Sequence, residues 1–182
     1  MTDKNVSIMN IGSMGYLPQV FKKIENEKKL NIVYLGGSIT MGCNATKTEL
    51  RYVDRSAKWW QTNFPDAEIS YFNAGIGATT SQFGVARVQE HVLDKQPALV
   101  FVEFSVNDSS SPLFMETYES LVRRLLKAES VKAVVLINNL FYNTGTNAQG
   151  IHNAIGLHYD LPIVSVRNYI FPEIQLGNVC LA

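Results

Sequence analysis

Residues 98–104, Ala-Leu-Val-Phe-Val-Glu-Phe, form a nearly continuous apolar run. A strand with one face in water alternates apolar and polar positions, whereas a strand covered by helices on both faces does not, so this run is expected to be the central strand of a parallel sheet. Similar runs lie at 31–35, ended by Gly36-Gly37, and at 68–72, 131–137 and 161–166. Between them the apolar spacing changes to three and four. Pro18 opens a helix with Val20, Phe21 and Ile24 on one face, which the charged stretch 22–29 ends. Residues 56–64 read as a helix burying Trp59 or Trp60, and 81–93 as one offering Phe83, Val85, Val88 and Val92 to the core. Pro97 resets the chain; residues 115–128, with Tyr118, Leu121, Val122 and Leu125 at helical spacing, and residues 147–159 complete the helices.

Strands alternating with helices imply parallel βαβ units, hence an α/β chain folded as a three-layer α/β/α sandwich around a parallel five-stranded sheet. No internal repeat or low-complexity segment interrupts it. With 182 residues and 46% hydrophobic composition, the chain can bury one core, and a single domain over residues 1–182 is expected.

Sixteen Lys+Arg against sixteen Asp+Glu leave no global field to attract nucleic acid or an anionic membrane, so neither is an expected partner. A neutral or locally recognised small molecule is. Cys43 and Cys180 have neither metal-ligand nor disulfide-framework spacing, which suits a reducing compartment. Residues 1–10 lack the basic-then-apolar order of an export signal, and the apolar runs are too short to span a bilayer. The chain as it stands reads as cytoplasmic, and an export signal removed beforehand would be compatible with it.

Three polar segments follow apolar runs: Gly36-Gly37-Ser38-Ile39-Thr40, Asn73 through Ser81, and Ser105-Val106-Asn107-Asp108. In an open parallel sheet the strands' carboxyl ends share one edge where ligands bind, so these loops are expected to converge on one crevice. A hydroxyl at Ser38, on a strand-to-helix turn behind two glycines, could attack an acyl carbon; the same turn also fits a helix cap or a phosphate cradle. Amides around Gly77 and Ala78 open a helix and could hold an oxyanion, or form a turn with Thr caps. Asn107 could donate its side-chain amide to the same oxygen, or make an Asx turn. Asn107-Asp108-Ser109 also matches a glycosylation sequon. Cys43 reads as a small buried residue, Trp59, Trp60, Phe64, Tyr71 and Met115 as packing, and Arg51, Tyr52 and Arg55 as a solvated face or a contact for a sugar or carboxylate.

In order and spacing, over roughly residues 31–166, these segments resemble the SGNH hydrolases, or GDSL esterases. Gly36 through Thr40 resembles the first block in its GGSIT form, Asn73 through Ser81 the glycine block, and Val102 through Asp108 the asparagine block. The resemblance implies a flavodoxin-like sheet of order 2-1-3-4-5, Ser38 as nucleophile, and an oxyanion hole from the Ser38 amide, a glycine-block amide at Gly77 or Ala78, and Asn107. It implies no metal or organic cofactor. The substrate implied is a small acyl ester, in the GGSIT form an acetyl-carbohydrate.

Ala78 stands where the family's oxyanion glycine falls, an exchange that keeps the amide. The family's final Asp-x-x-His block is not in this sequence, so the domain is expected to be short at its C-terminus and impaired for want of a base. His91, His152 and His158 read as helix residues of surface or core. The alternatives are a non-catalytic glycan- or metabolite-binding module and a nucleotide binder using the Gly36 turn. Without the final block, apolar surface near Ser38 would lie uncovered, and self-association through it is expected.

Overall fold

The protein was analysed as a computed structural model that describes residues 3–179. Cys180 lies outside the described residues. The strands are β1 (Ile8–Asn10), β2 (Lys29–Gly36), β3 (Glu68–Gly75), β4 (Leu99–Glu103), β5 (Ala133–Asn138) and β6 (Ile163–Ser165). They form one sheet in the order β1-β6-β5-β4-β2-β3. The five strands β2 to β6 are mutually parallel and keep the expected 2-1-3-4-5 arrangement, with β4 in the middle. The sixth, β1, was not expected: it pairs antiparallel with β6, with a register shift between Ile8 and Asn10. Its residues are exposed or half-exposed, so hydrophobic patterning does not announce it.

Side chains from successive positions of the inner strands enter opposite faces. Val33, Leu35, Val100, Val102, Val134 and Leu136 pack with helices α4 (Ser81–His91), α5 (Pro112–Leu126) and α6 (Gln149–His158). Ile32, Tyr34, Leu99 and Ala133 pack with α1 (Leu17–Glu27) and α3 (Tyr52–Asn63). The unbroken apolar run of β4 follows from this double cover. Tyr118, Leu121, Val122 and Leu125 of α5 are fully buried, as the helical spacing predicted.

Three packing expectations need correction. Trp60 is buried, but Trp59 is 52% exposed on the outer side of α3. Phe83 and Met115 are half-exposed rather than core. On α4 Arg87 turns inward together with Val88, and the Phe83 ring lies 5.8 Å from the guanidinium carbon. The strand-to-helix turn at Ser38 opens the four-residue α2 (Ser38–Met41), and one further helix had no counterpart in the sequence reading: α7 (Val166–Gln175), which contains Pro172 and is capped by the Ser165 hydroxyl accepting from Asn168 N–H.

Replacing Leu121 by alanine removes a fully buried side chain that α5 packs beside Gly84 of α4 and should cost about 2–5 kcal/mol, read as a shifted denaturant midpoint at unchanged slope.

Candidate active site

β2, β3 and β4 end level with one another: Gly36 is in register with Gly75 on one side and with Glu103 on the other. The chain then turns through Gly37 into α2. A Cβ at Gly36 would lie 2.1 Å from Thr40 Oγ1 and 2.5 Å from the Glu103 carbonyl oxygen. One at Gly37 would lie 2.4 Å from Asn107 Oδ1 and 3.3 Å from the Thr79 carbonyl oxygen, and one at Gly75 would lie 2.2 Å from the Met41 nitrogen. At Gly36 and Gly75 backbone atoms leave no room for a side chain, and at Gly37 a side chain would push the Asn107 amide aside, so glycine serves close approach rather than backbone angle.

The Gly37 contacts bring three loops together. Ser38 is half-buried, its carbonyl accepts from Gly42 N–H and Cys43 N–H, and its Oγ has no partner among the described residues. Ala78, beside Thr79, is exposed with φ 56°. A Cβ on the neighbouring Gly77 would be 3.4 Å from Met41 Cε. Asn107 turns its Oδ1 inward, buried and without a partner, and its Nδ2 is unengaged among the described residues. A hydroxyl at a helix N-terminus, unengaged backbone amides and a side-chain amide therefore share one edge of the sheet.

A layer of buried polar groups holds this edge. Arg87 donates from Nη1 to Ala74 O at 2.6 Å and from Nη2 to Gly36 O at 3.0 Å, tying the ends of β2 and β3; burial pulls its pKa down to about 10. Asp108 accepts from Ser81 N–H at 2.9 Å, capping α4, and lies 3.1 Å from His152 Nε2 on α6. Burial lowers the His152 pKa against the pull of Asp108, and the imidazole stacks 3.6 Å from the Tyr118 ring. Glu103 is fully buried, and burial pushes its carboxyl up to about 7. Its Oε1 accepts from Ser105 Oγ at 3.2 Å, while Oε2 has no partner.

Ser38 opens onto a cavity of about 690 Å³. Its walls come from Cys43, Arg51 and Tyr52 after α2, from Phe141 and Tyr142 in the β5–α6 loop, and from the sheet side chains Phe101, Val135 and Ile137. Arg51 is clamped: Asp54 accepts from Nε at 2.6 Å and from Nη2 at 3.1 Å, and itself takes a hydrogen bond from Tyr71 OH at 2.8 Å. That pairing holds the Asp54 carboxyl below its usual range. Among the described residues, no histidine or carboxylate lines the cavity.

Residues 34–163 match the GDSL-like Lipase/Acylhydrolase family. The chain belongs to that family. Among solved structures, a two-domain esterase (CEX) active on acetylated mannans superimposes with a TM-score of 0.95 at 46% identity, covering 98% of this chain and 48% of that one. A structure of such an esterase co-crystallised with mannopentaose matches at the same identity and TM-score. This GDSL chain thus spans about half the length of those relatives. Axe2, an acetylxylan esterase from Geobacillus stearothermophilus, shares the fold at a TM-score of 0.67 and 18% identity, covering 80% of each chain. AlinE4, a SGNH-hydrolase family esterase, does so at 0.62 and 19%, covering 85% of this chain and 84% of that one. No curated protein matches the chain.

Of the GDSL blocks, Gly37 before Ser38, Thr79 beside Ala78, and Asn107 meet at the end of β2. Cys43 is corrected: it is exposed in the cavity wall, not buried, because α2 ends at once in Gly42 with φ 99° and turns the chain outward. Arg51 and Tyr52 face the cavity, while Arg55 is exposed. His152 is a core residue, His158 is exposed, and His91 contacts Arg87. Sequence reasoning missed Glu103 and Arg87, although each was signalled by a charge at an apolar-period position. It also missed Phe141 and Tyr142, which sit in a loop with no periodic pattern.

Glu103 and His152 pull stability in opposite directions with pH. The folded pKa of Glu103 lies above its unfolded 4.5, so its contribution is full below about pH 4.5 and is lost as pH rises through about 7. His152 is depressed below 6.5, so its contribution is present above that value and is lost as pH falls. Glu103→Gln, which cannot ionise, should therefore gain on the order of 3 kcal/mol relative to the parent between pH 4 and pH 9, measured by chemical denaturation at each pH.

Proposed function

We propose that the chain supplies the nucleophile and oxyanion hole of a serine esterase that removes acetyl groups from carbohydrate. The observation that carries this reading is the meeting of Asn107, Thr79 and the Ser38 turn on the Cβ-less face of Gly37. The 46% identity to an esterase active on acetylated mannans supports the substrate class.

In this reading Ser38 Oγ attacks the acetyl carbonyl carbon. The resulting oxyanion takes hydrogen bonds from the Ser38 amide, the Ala78 amide with Gly77 beside it, and Asn107 Nδ2. Collapse expels the sugar oxygen as an alcohol and leaves an acetyl-serine, which water then hydrolyses to acetate. The Ser38 proton needs an acceptor. Among the described residues no histidine lines the cavity, so the base is taken to come from a histidine and carboxylate outside residues 1–182, in the same polypeptide or an associated one.

The test is acetate release from an acetylated manno-oligosaccharide by the 182-residue chain, by its Ser38→Ala variant, and by a longer protein carrying an Asp-x-x-His. The 182-residue chain should be slow, the longer protein roughly 10³-fold faster or more, and Ser38→Ala should abolish both rates. Asn107→Ala in the longer protein should cost about 10²–10³ in kcat. If the longer protein releases no acetate yet binds the oligosaccharide, the crevice is a binding module.

A further inference from the structure

We infer that the cavity beside Ser38 contains a subsite for one neutral pyranose ring, stacked on Phe141 and Tyr142 and hydrogen-bonded by the guanidinium of Arg51. This rests on the esterase reading and specifies how the alcohol part of the ester is held. An acetyl group alone would leave most of about 690 Å³ empty, and the remainder is of the size that encloses a small ligand.

Phe141 and Tyr142 are 51% and 45% exposed, yet their loop is firmly tied. Phe141 N–H donates to Thr146 O at 3.0 Å, Gly145 N–H to Phe141 O at 2.7 Å, and Asn147 Nδ2 to Asn139 O at 2.6 Å. Ser105 Oγ lies 3.1 Å from the same Asn139 carbonyl, sharing its one proton between that oxygen and Glu103 Oε1, and so joins the loop to the segment that precedes Asn107. The Phe171 ring packs on Gly145, whose φ of 69° sets the turn. A loop this constrained that still holds two adjacent rings in a cavity wall is preorganised to receive a flat apolar surface, and the axial C–H face of a pyranose is one.

Arg51 supplies the polar contact. Its stem lies against Gly42, where a Cβ would meet Cδ at 2.0 Å, and Asp54 occupies Nε and Nη2. Nη1 keeps only a 3.5 Å contact to Met41 O and is left to donate to a hydroxyl. Because Asp54 balances the guanidinium and no other Arg, Lys, Asp or Glu among the described residues lines the cavity, the described wall carries no net charge to reward an anion. The occupant favoured is therefore a neutral hexose and not a uronic acid.

Binding to the Ser38→Ala chain reads this without turnover. A mono-O-acetylated neutral hexose disaccharide and its hexuronic counterpart would be titrated by calorimetry. Phe141→Ala and Tyr142→Ala should each weaken the neutral ligand about tenfold, Tyr142→Phe should bind as the parent does, and the uronate should bind no tighter than the neutral sugar. Phe141→Leu keeps apolar bulk without the flat ring and reads stacking alone should the alanine variant unfold. The subsite is overturned if the neutral disaccharide does not bind, if the doubly substituted Phe141→Ala, Tyr142→Ala chain binds it unchanged, or if the uronate binds tenfold tighter. Ring-dependent binding by a longer protein that releases no acetate would instead sink the esterase reading and leave the subsite standing.

Discussion

Everything at the carboxyl edge of the sheet depends on three missing β-carbons. Gly36, Gly75 and Gly37 let the helix after β2 lie directly on the ends of β3 and β4, with backbone or side-chain atoms closer than 2.6 Å to where a methyl group would be. Helix α2 is only four residues long and has no side-chain cap, so its position is set by contacts with the sheet and not by its own stability. Asn73 fixes its far end, donating from Nδ2 to Thr40 O at 2.8 Å while its Oδ1 accepts from Gly75 N–H. The Ser38 hydroxyl thus inherits the rigidity of the parallel sheet.

Under this edge the core is not apolar. Arg87, Glu103 and Asp108 are all buried within or against the strand ends, each engaged by backbone or side-chain groups of a different element. Such groups add little net stability compared with apolar packing, but each is costly to leave unpaired, so they discriminate strongly between one loop arrangement and its neighbours. Asp108 is the clearest case, since one carboxylate joins the Asn107 loop to the start of α4 and to the middle of α6. A crevice built from three loops needs such a device, because apolar packing alone would let the loops slide.

How much of this was legible in the sequence follows from which forces leave a periodic trace. The parallel sheet and its order were readable because burial on both faces erases alternation in β4 and β5, and the glycine pair after β2 marked the turn. The convergence at Gly37 of the loops that carry Ser38, Ala78 and Asn107 followed from topology, since loops after parallel strands share an edge. The partners of buried charges were not readable: periodicity puts Arg87 on the inner face of α4, but it does not show which strand-end carbonyls the guanidinium binds. Edge elements were lost for the opposite reason, because β1 buries too little for a pattern, and Cys43 was misjudged because a single Gly42 turns the chain outward.

The strand β1 has a consequence for how the molecule meets others of its kind. An open sheet offers unpaired backbone groups along both margins, and either can template the addition of a foreign strand. Here the β6 margin is sealed by a strand of only three residues that runs against its neighbour and shifts register partway, which gives an incoming chain little straight ladder to extend. The other margin, β3, is parallel and eight residues long. Resistance to end-on fibre growth is therefore lopsided, with β3 the side on which it would fail first.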